Sequence, residues 1–157
     1  MNKHYYSVTS EQINELEKVR KNGQVIGFAN GCFDLLHDGH KHLLSSAKNF
    51  CDYLVVGLNS DESVKRIKGP KRPIEDVKIR TKKLINNHCV DLVIVFNEPT
   101  PASLIKIISP NVIIKGADYK QKKVIGEEIV KKNGGSVQLI ELLPEISTSR
   151  IIKERNL

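Results

Sequence analysis

The chain has 157 residues and a hydrophobic content of 39%, enough for one globular domain with a substantial core. No apolar run approaches the roughly 20 residues that a bilayer span needs, and the N-terminus lacks the apolar core of a signal peptide, so we expect a cytoplasmic protein without membrane contact. The formal charge of +7 is spread along the chain and only 5% of the residues are aromatic, which favours a small anionic substrate over nucleic acid.

Segments with strand and helix patterns alternate along the chain. Thr9 and Gln12 have the spacing of a capping box at the start of the first helix. Short runs rich in Val, Ile and Leu predict strands at 24–29, 53–58, 92–96, 112–114 and 137–142. Apolar periodicity predicts helices at about 9–22, 41–50, 75–87, 101–108, 124–132 and 150–155. The segment 65–73, with two prolines and a glycine, is predicted to be a cationic loop.

This alternation predicts the α/β class: one Rossmann-like, doubly wound parallel sheet of about five strands with helices on both faces. We expect residues 1–157 to form one domain, with its catalytic core at about 24–155. Polar clusters follow the predicted strands at 30–40, 59–61, 115–118 and 147–149. Ligands of such sheets bind outside the carboxyl ends of the strands, so we expect these clusters to converge there.

His37 and His40 flank Gly39 at the point where the first predicted strand leads into a helix. The first backbone N–H groups of a helix bind anions, which indicates a site for a nucleoside triphosphate. Two other interpretations are ordinary loop histidines and a metal site that also uses Asp34 or Asp38. A third soft ligand is not evident, so no metal site of the protein itself is predicted. Cys32 has no base tied to it in sequence and is interpreted as a packed residue.

The run Gly31-x-Phe33-Asp34-x-x-His37-x-Gly39-His40 resembles the signature of the nucleotidyltransferases that include the cytidylyltransferases and phosphopantetheine adenylyltransferase. The run Ile146-Ser147-Thr148-Ser149-x-Ile151-Ile152 resembles their second signature. Further features are similar to the adenylyltransferase domain of the bacterial D-glycero-β-D-manno-heptose 1-phosphate enzymes: Asn30 to Asp34, Asn59-Ser60-Asp61, Lys68-Gly69-x-x-Arg72-Pro73, Arg80 and Lys115-Gly116-x-Asp118-Tyr119.

The sequence differs from the heptose enzymes in two respects. Glu145-Ile146 precede the second signature, where those enzymes commonly have a small residue. The sugar kinase domain that is often fused ahead of this domain is also missing from the sequence, which leaves open a separate kinase or a different substrate.

The resemblance implies transfer of AMP from ATP to a sugar 1-phosphate with release of pyrophosphate, a step in making nucleotide-sugar precursors of lipopolysaccharide. It implies that His37, His40 and Lys68 are catalytic. The residues implied in nucleotide binding are Asn30, Gly31, Cys32, Phe33, Gly39, His40, Lys115, Gly116, Asp118, Ser147, Thr148 and Ser149. Those implied in acceptor binding are Asp34, Asn59, Asp61, Lys65 and Arg72.

The resemblance also implies Mg²⁺ held mainly through the nucleotide phosphates, and a homodimer. One alternative is a cytidylyltransferase that uses CTP and acts on glycerol 3-phosphate or a phosphorylated amino alcohol. Alternatives from other classes are a nucleotide-binding regulatory module without catalysis and a nucleic-acid-binding protein.

Overall fold

The computed structural model describes residues 8–117, 123–141 and 148–156. Helices and strands alternate along these residues. The helices are α1 (Ser10–Lys21), α2 (Asp38–Ala47), α3 (Asp61–Lys68), α4 (Val77–Ile85), α5 (Ala102–Ile108), α6 (Glu127–Lys132) and α7 (Thr148–Arg155). The strands are β1 (Ile26–Gly31), β2 (Tyr53–Asn59), β3 (Leu92–Phe96), β4 (Val112–Gly116) and β5 (Ser136–Ile140).

The five strands form one parallel sheet in the order β3-β2-β1-β4-β5. The chain builds outward from β1 to β3 and then returns to place β4 on the other side of β1. The order therefore reverses between β1 and β4, and this reversal leaves a crevice at their carboxyl ends. The predicted fold class is confirmed, and the crevice is where the polar clusters of the sequence were expected to meet.

Two apolar clusters cover the two faces of the sheet. One contains Leu44 and Ala47 of α2 and Leu84 of α4. The other contains Leu16 of α1, residues of α5, and Val130 of α6. Because both faces are buried, the strands read as nearly continuous apolar runs, as is typical of parallel sheets.

The start of α1 agrees with the sequence. The side chain of Thr9 accepts a hydrogen bond from the backbone of Gln12 at 3.1 Å, and the Gln12 side chain accepts one from the backbone of Thr9 at 2.9 Å. The predicted capping box is confirmed.

The segment that follows β2 differs from the prediction. Residues Asp61–Lys68 form α3, so the first part of the predicted loop 65–73 is the last turn of a helix. The Ser60 side chain caps this helix by accepting a hydrogen bond from the backbone of Ser63. Gly69, Pro70 and Pro73 were the basis for predicting a loop. In the structure they follow α3 and mark its end.

No helix in the described part of the chain has the length and apolar character needed to cross a membrane.

Candidate active site

The loop between β1 and α2 carries most of the first sequence signature. Two of its residues, Phe33 and Leu35, have φ values of +47° and +51°, in the left-handed region that non-glycine residues rarely occupy. Asp34 lies between them and is 1% exposed. Backbone in this region persists where surrounding contacts fix it, and it is common at functional sites.

A cavity of about 420 Å³ opens beside this loop. Residues from β1, the loop, the start of α2, α3, the loop after α3 and the start of α7 surround it. They are Gly31, Cys32, Phe33, Asp34, His37, His40, Ile67, Lys68, Arg72, Thr148 and Ser149. All but Ile67 were implicated by the sequence, so residues more than 100 positions apart meet at one site.

His37 and His40 are held by the start of α2, which begins three residues earlier than predicted because His37 itself is the N-cap. The Nδ1 atom of His37 accepts hydrogen bonds from the backbone of Gly39 at 3.1 Å and of His40 at 3.3 Å. The Nδ1 atom of His40 accepts one from the backbone of His37 at 3.3 Å. Since both Nδ1 atoms accept, each neutral ring carries its proton on Nε2.

The electrostatic surroundings keep both rings neutral. Burial lowers the pKa of His37, and the carboxylate of Asp38 opposes this. Burial, reinforced by His37, lowers the pKa of His40 to about 3. Near neutral pH the pair therefore provides two N–H donors at a helix N-terminus, where backbone amides and the helix dipole already favour an anion.

The Asp34 carboxylate has internal partners instead of facing the cavity. It accepts hydrogen bonds from Arg72 Nε at 2.9 Å, the Ile74 backbone at 2.8 Å and the Glu75 backbone at 3.0 Å. Burial would raise the pKa of this carboxyl, but these three donors outweigh it and hold the pKa below its usual range. Its side chain has 0% exposure, so the structure gives this carboxylate partners inside the protein, and its contact with an acceptor stays a prediction.

Two cations line the side of the cavity nearest α3. Lys68 is the exposed last residue of α3, and Arg72 follows in the next loop with 12% side-chain exposure. Within the described parts of the chain, the Arg72 side chain donates only through Nε to Asp34, so there its terminal nitrogens are open to an anion. This pairing makes Lys68 and Arg72 the cationic wall of the site.

The start of α7 forms another part of the cavity wall. The Thr148 hydroxyl donates a hydrogen bond to the backbone carbonyl of Asp34 at 2.7 Å, and Ser149 lines the cavity beside it. Ser147 lies outside the described residues, so its predicted contact with phosphate stays a prediction.

Two residues predicted to bind nucleotide lie elsewhere at the same edge of the sheet. Asn30 and Lys115, at the ends of β1 and β4, line a second cavity of about 120 Å³ together with Thr100. Burial lowers the pKa of Lys115, although Cys32 opposes this. Gly116 ends β4 and pairs with Ile140. Asp118 lies outside the described residues.

The remaining predicted acceptor residues do not line the main cavity. Asn59 is 5% exposed, and its side-chain amide donates to the hydroxyl of Ser63, so the structure gives it an internal role. Asp61 and Lys65 line a separate depression of about 210 Å³ between α3 and the start of α4. Their predicted contact with an acceptor is not supported by position in the main cavity.

Arg80 organises this region, and sequence reasoning gave it no role. It is 1% exposed and donates to the carbonyls of Cys32, Asn59 and Glu75 at 2.8 to 2.9 Å. It also donates to the Asp61 carboxylate at 2.7 Å. A signal was present in the sequence, since helical spacing places position 80 on the same face of α4 as the apolar positions 77 and 84.

Comparisons with known proteins agree with this geometry. The cytidylyltransferase-like family model matches residues 28–154. The bifunctional protein HldE of Nitrobacter hamburgensis is 48% identical over 145 residues, which are 92% of this chain and 30% of that protein. HldE of Paramagnetospirillum magneticum is 49% identical over 141 residues, or 90% of this chain and 29% of that protein. The chain thus spans about 30% of the length of these curated relatives.

Two solved structures are also similar. The lipopolysaccharide core biosynthesis protein from Thermoplasma volcanium has a TM-score of 0.61 and 30% identity, with coverage of 77% of this chain and 98% of that one. Pantoate-beta-alanine ligase from Francisella tularensis has a TM-score of 0.61 and 16% identity, with coverage of 92% and 71%. The second likeness shows the fold alone.

Proposed function

This chain belongs to the cytidylyltransferase-like family, and from that premise we propose that it transfers AMP from ATP to a heptose 1-phosphate and releases pyrophosphate. The observation that carries the proposal is the single cavity in which His37 and His40, the start of α7 and the cations Lys68 and Arg72 meet. Such a cavity offers separate groups to a polyphosphate and to a second phosphate.

The choice of acceptor rests on likeness. The heptose motifs of the sequence, the similarity to HldE proteins and the similarity to a lipopolysaccharide core biosynthesis protein support a heptose 1-phosphate. The choice of ATP over CTP rests on the same likeness to the heptose enzymes.

In the proposed reaction an oxygen of the acceptor phosphate attacks the α-phosphorus of ATP in line. The bond from that phosphorus to the bridging oxygen breaks, and pyrophosphate leaves with the electron pair. The protein contributes alignment and charge stabilisation, and it needs no nucleophile of its own. The thiol of Cys32 suits this scheme, since burial raises its pKa against the opposing effect of nearby cations and so keeps it protonated.

Each wall of the cavity has a part in this reaction. The Nε2–H groups of His37 and His40 donate to the phosphate oxygens on which charge develops, because preorganised donors aimed at developing charge stabilise a transition state most effectively. Ser149, and Ser147 by resemblance, donate to the β and γ phosphates from the start of α7. Lys68 and Arg72 neutralise the acceptor phosphate, so that two anions can approach each other.

Mg²⁺ fits this donor set only as an ion carried by the nucleotide. Among the described residues no group of three or more His, Cys, Asp or Glu side chains is arranged to hold a metal, and the Asp34 carboxylate has its own partners. When bound to phosphate oxygens and water, Mg²⁺ would supply further neutralisation of the triphosphate.

The test is a panel of ATP, CTP, GTP and UTP against α- and β-heptose 1-phosphate, glycerol 3-phosphate and a phosphorylated amino alcohol. Pyrophosphate release and the mass of the nucleotide product are measured for every pair. We expect ADP-heptose from ATP and one heptose anomer, and a rate of product formation roughly 10²- to 10³-fold lower for His40→Ala. CTP turnover with glycerol 3-phosphate would replace the proposal with a cytidylyltransferase. ATP binding without turnover on any acceptor would indicate a regulatory module.

A further inference from the structure

We propose that Asp34 is a positioning residue that joins the two walls of the cavity, with its carboxylate fixing Arg72 and its carbonyl fixing Thr148. The proposal rests on the proposed function for its kinetic consequences. It assigns Asp34 a task other than the acceptor contact that the sequence suggested.

The carboxylate of Asp34 makes more hydrogen bonds than its carbonyl does. Both oxygens of Asp34 are used: Oδ2 accepts from Arg72 Nε and from the Ile74 backbone, and Oδ1 accepts from the Glu75 backbone. The loop that carries Arg72 is therefore fastened at three of its residues to one buried side chain. A buried carboxylate with three donors holds its partners far more firmly than an exposed ion pair does.

The carbonyl of the same residue fastens the other wall. It accepts the hydroxyl of Thr148 at 2.7 Å, and Thr148 is the first residue of α7. The Thr148 hydroxyl thus binds the protein itself and holds α7 against the loop. The next residue of α7, Ser149, lines the cavity.

The backbone around Asp34 is consistent with a fixed junction. Phe33 and Leu35, on either side, have left-handed φ values of +47° and +51°. Such a conformation is strained for a non-glycine residue and persists only where contacts over-determine it. The four hydrogen bonds of Asp34 provide such contacts. Asp34 therefore sets where Arg72 lies relative to α7, and His37 follows three residues later.

The first test separates positioning from direct contact. Asp34→Asn, Arg72→Met and the double variant are compared in steady-state kinetics with ATP and the acceptor. We expect each single variant to raise the acceptor KM roughly 10- to 100-fold, since small displacements of an aligned group have effects of this size. The acceptor KM of the double variant should be no higher than that of Arg72→Met alone. If the rise in acceptor KM of the double variant equals the product of the two single rises, Asp34 contacts the acceptor itself, and the proposal is overturned.

The second test does not need turnover. Amide hydrogen exchange at Ile74 and Glu75 should be faster in Asp34→Asn than in the unaltered protein, because an amide side chain cannot accept from all three donors. Unchanged exchange would overturn the proposal even if the enzyme is active. If the unaltered protein transfers nothing to any acceptor, the proposed function fails while this measurement still decides whether Asp34 anchors the loop.

The carbonyl half is tested by Thr148→Val, which keeps the branched shape and removes the hydroxyl. It should raise the KM for ATP several-fold and leave the acceptor KM within about twofold, the reverse of the pattern for Asp34→Asn. A rise confined to the acceptor, or no change at all, would contradict the carbonyl link.

Asp91→Asn is the matched control. The Asp91 carboxylate also accepts from a backbone amide, that of Leu54, and from a cation, Lys48, but it lies at the amino ends of the strands. The Asp91→Asn substitution should lower the stability of the fold and leave the KM values for ATP and for the acceptor unchanged. If Asp34→Asn does not fold, Arg72→Met is tested alone, and a normal acceptor KM would overturn the proposal by leaving Asp34 no acceptor-side group to position.

Discussion

The backbone amides of His37 and His40 donate to each other's ring at Nδ1, at 3.3 Å in both directions, and the two rings stack with centroids 3.7 Å apart. This reciprocal cap replaces the Ser/Thr and Glu/Gln side chains that usually make such a box. It fixes the tautomer of both rings, so both Nε2–H groups remain for a ligand. The same two side chains thus build the start of α2 and form the donor pair of the site.

His40→Ala should lower kcat roughly 10²- to 10³-fold, the usual cost of removing one preorganised donor to developing charge. His40→Asn should lose nearly as much, because a shorter amide can still accept from the His37 backbone but cannot replace the Nε2–H donor. The exposed His88, in the turn before β3, is the control, and His88→Ala should retain full turnover. A fully active His40→Ala would contradict the role of the pair.

Stability should fall as the pH is lowered below about 6.5. The pKa of His40 falls from 6.5 to about 3 in the folded chain, through burial and the neighbouring His37. Between these values the unfolded state binds more protons, so the contribution of this group is complete above pH 6.5 and is lost as the pH falls toward 3. Urea unfolding from pH 8 to 5 should show a slope of up to about 1 kcal/mol per pH unit from this group.

The His40→Asn variant supplies the comparison for the pH effect. Its unfolding free energy should depend less on pH over the same range, because it lacks the titrating ring. The pKa of Asp34 is held below its usual value. Its contribution to stability is therefore lost only at pH values more acidic than the range from 8 to 5, and it does not affect this comparison. Equal slopes for the variant and the unaltered protein would be evidence against a neutral, buried His40.

Lys68→Ala should raise the acceptor KM at least as much as the ATP KM, because this exposed cation ends α3 on the same wall of the cavity as Arg72. Lys68→Arg keeps the charge and should recover most of the lost affinity. Lys71, exposed and outside the cavity lining, is the matched control. An effect confined to ATP would move Lys68 to the nucleotide side of the site.

Activity should disappear in EDTA and return with added Mg²⁺, since the ion is proposed to be carried by the nucleotide phosphates. The thermal unfolding temperature should be the same with and without EDTA, because no cluster of metal ligands is found among the described residues. Turnover that persists in EDTA would contradict phosphates bridged by a metal.

Arg80→Met should destabilise the fold by several kcal/mol, because each buried acceptor left without its donor costs about 1–3 kcal/mol. It would leave three carbonyls and the Asp61 carboxylate without their donor. Arg20 donates to the carbonyls of Ile108 and Ser109 and pairs with Glu17, but its side chain is 37% exposed. Arg20→Met should therefore cost less than about 1 kcal/mol. Urea unfolding measures both, and similar losses would contradict the difference in burial.

The sequence predicted the parallel sheet and most of its elements because those signals are local. Apolar runs gave β3 with its observed bounds, Leu92–Phe96, and Thr9 and Gln12 marked the start of α1. Where a second local signal competed, the prediction was wrong. The prolines and the glycine after position 68 predicted a loop where the last turn of α3 lies, although Ser60 caps the start of that helix. The start of α2 was missed because its N-cap, His37, is not one of the usual capping residues.

By itself the sequence determined which residues are candidates for the site, since His37, His40, Lys68 and Ser149 stand in signatures that can be read along the chain. The structure brings these residues to one cavity. Only the tertiary structure decided what each polar group can reach. Asp34 resembles a ligand-binding carboxylate in the sequence, but donors nearly forty positions away bury and occupy it. Whether a side chain faces a ligand or the protein depends on partners that the fold brings from distant positions. Local sequence patterns do not show these partners.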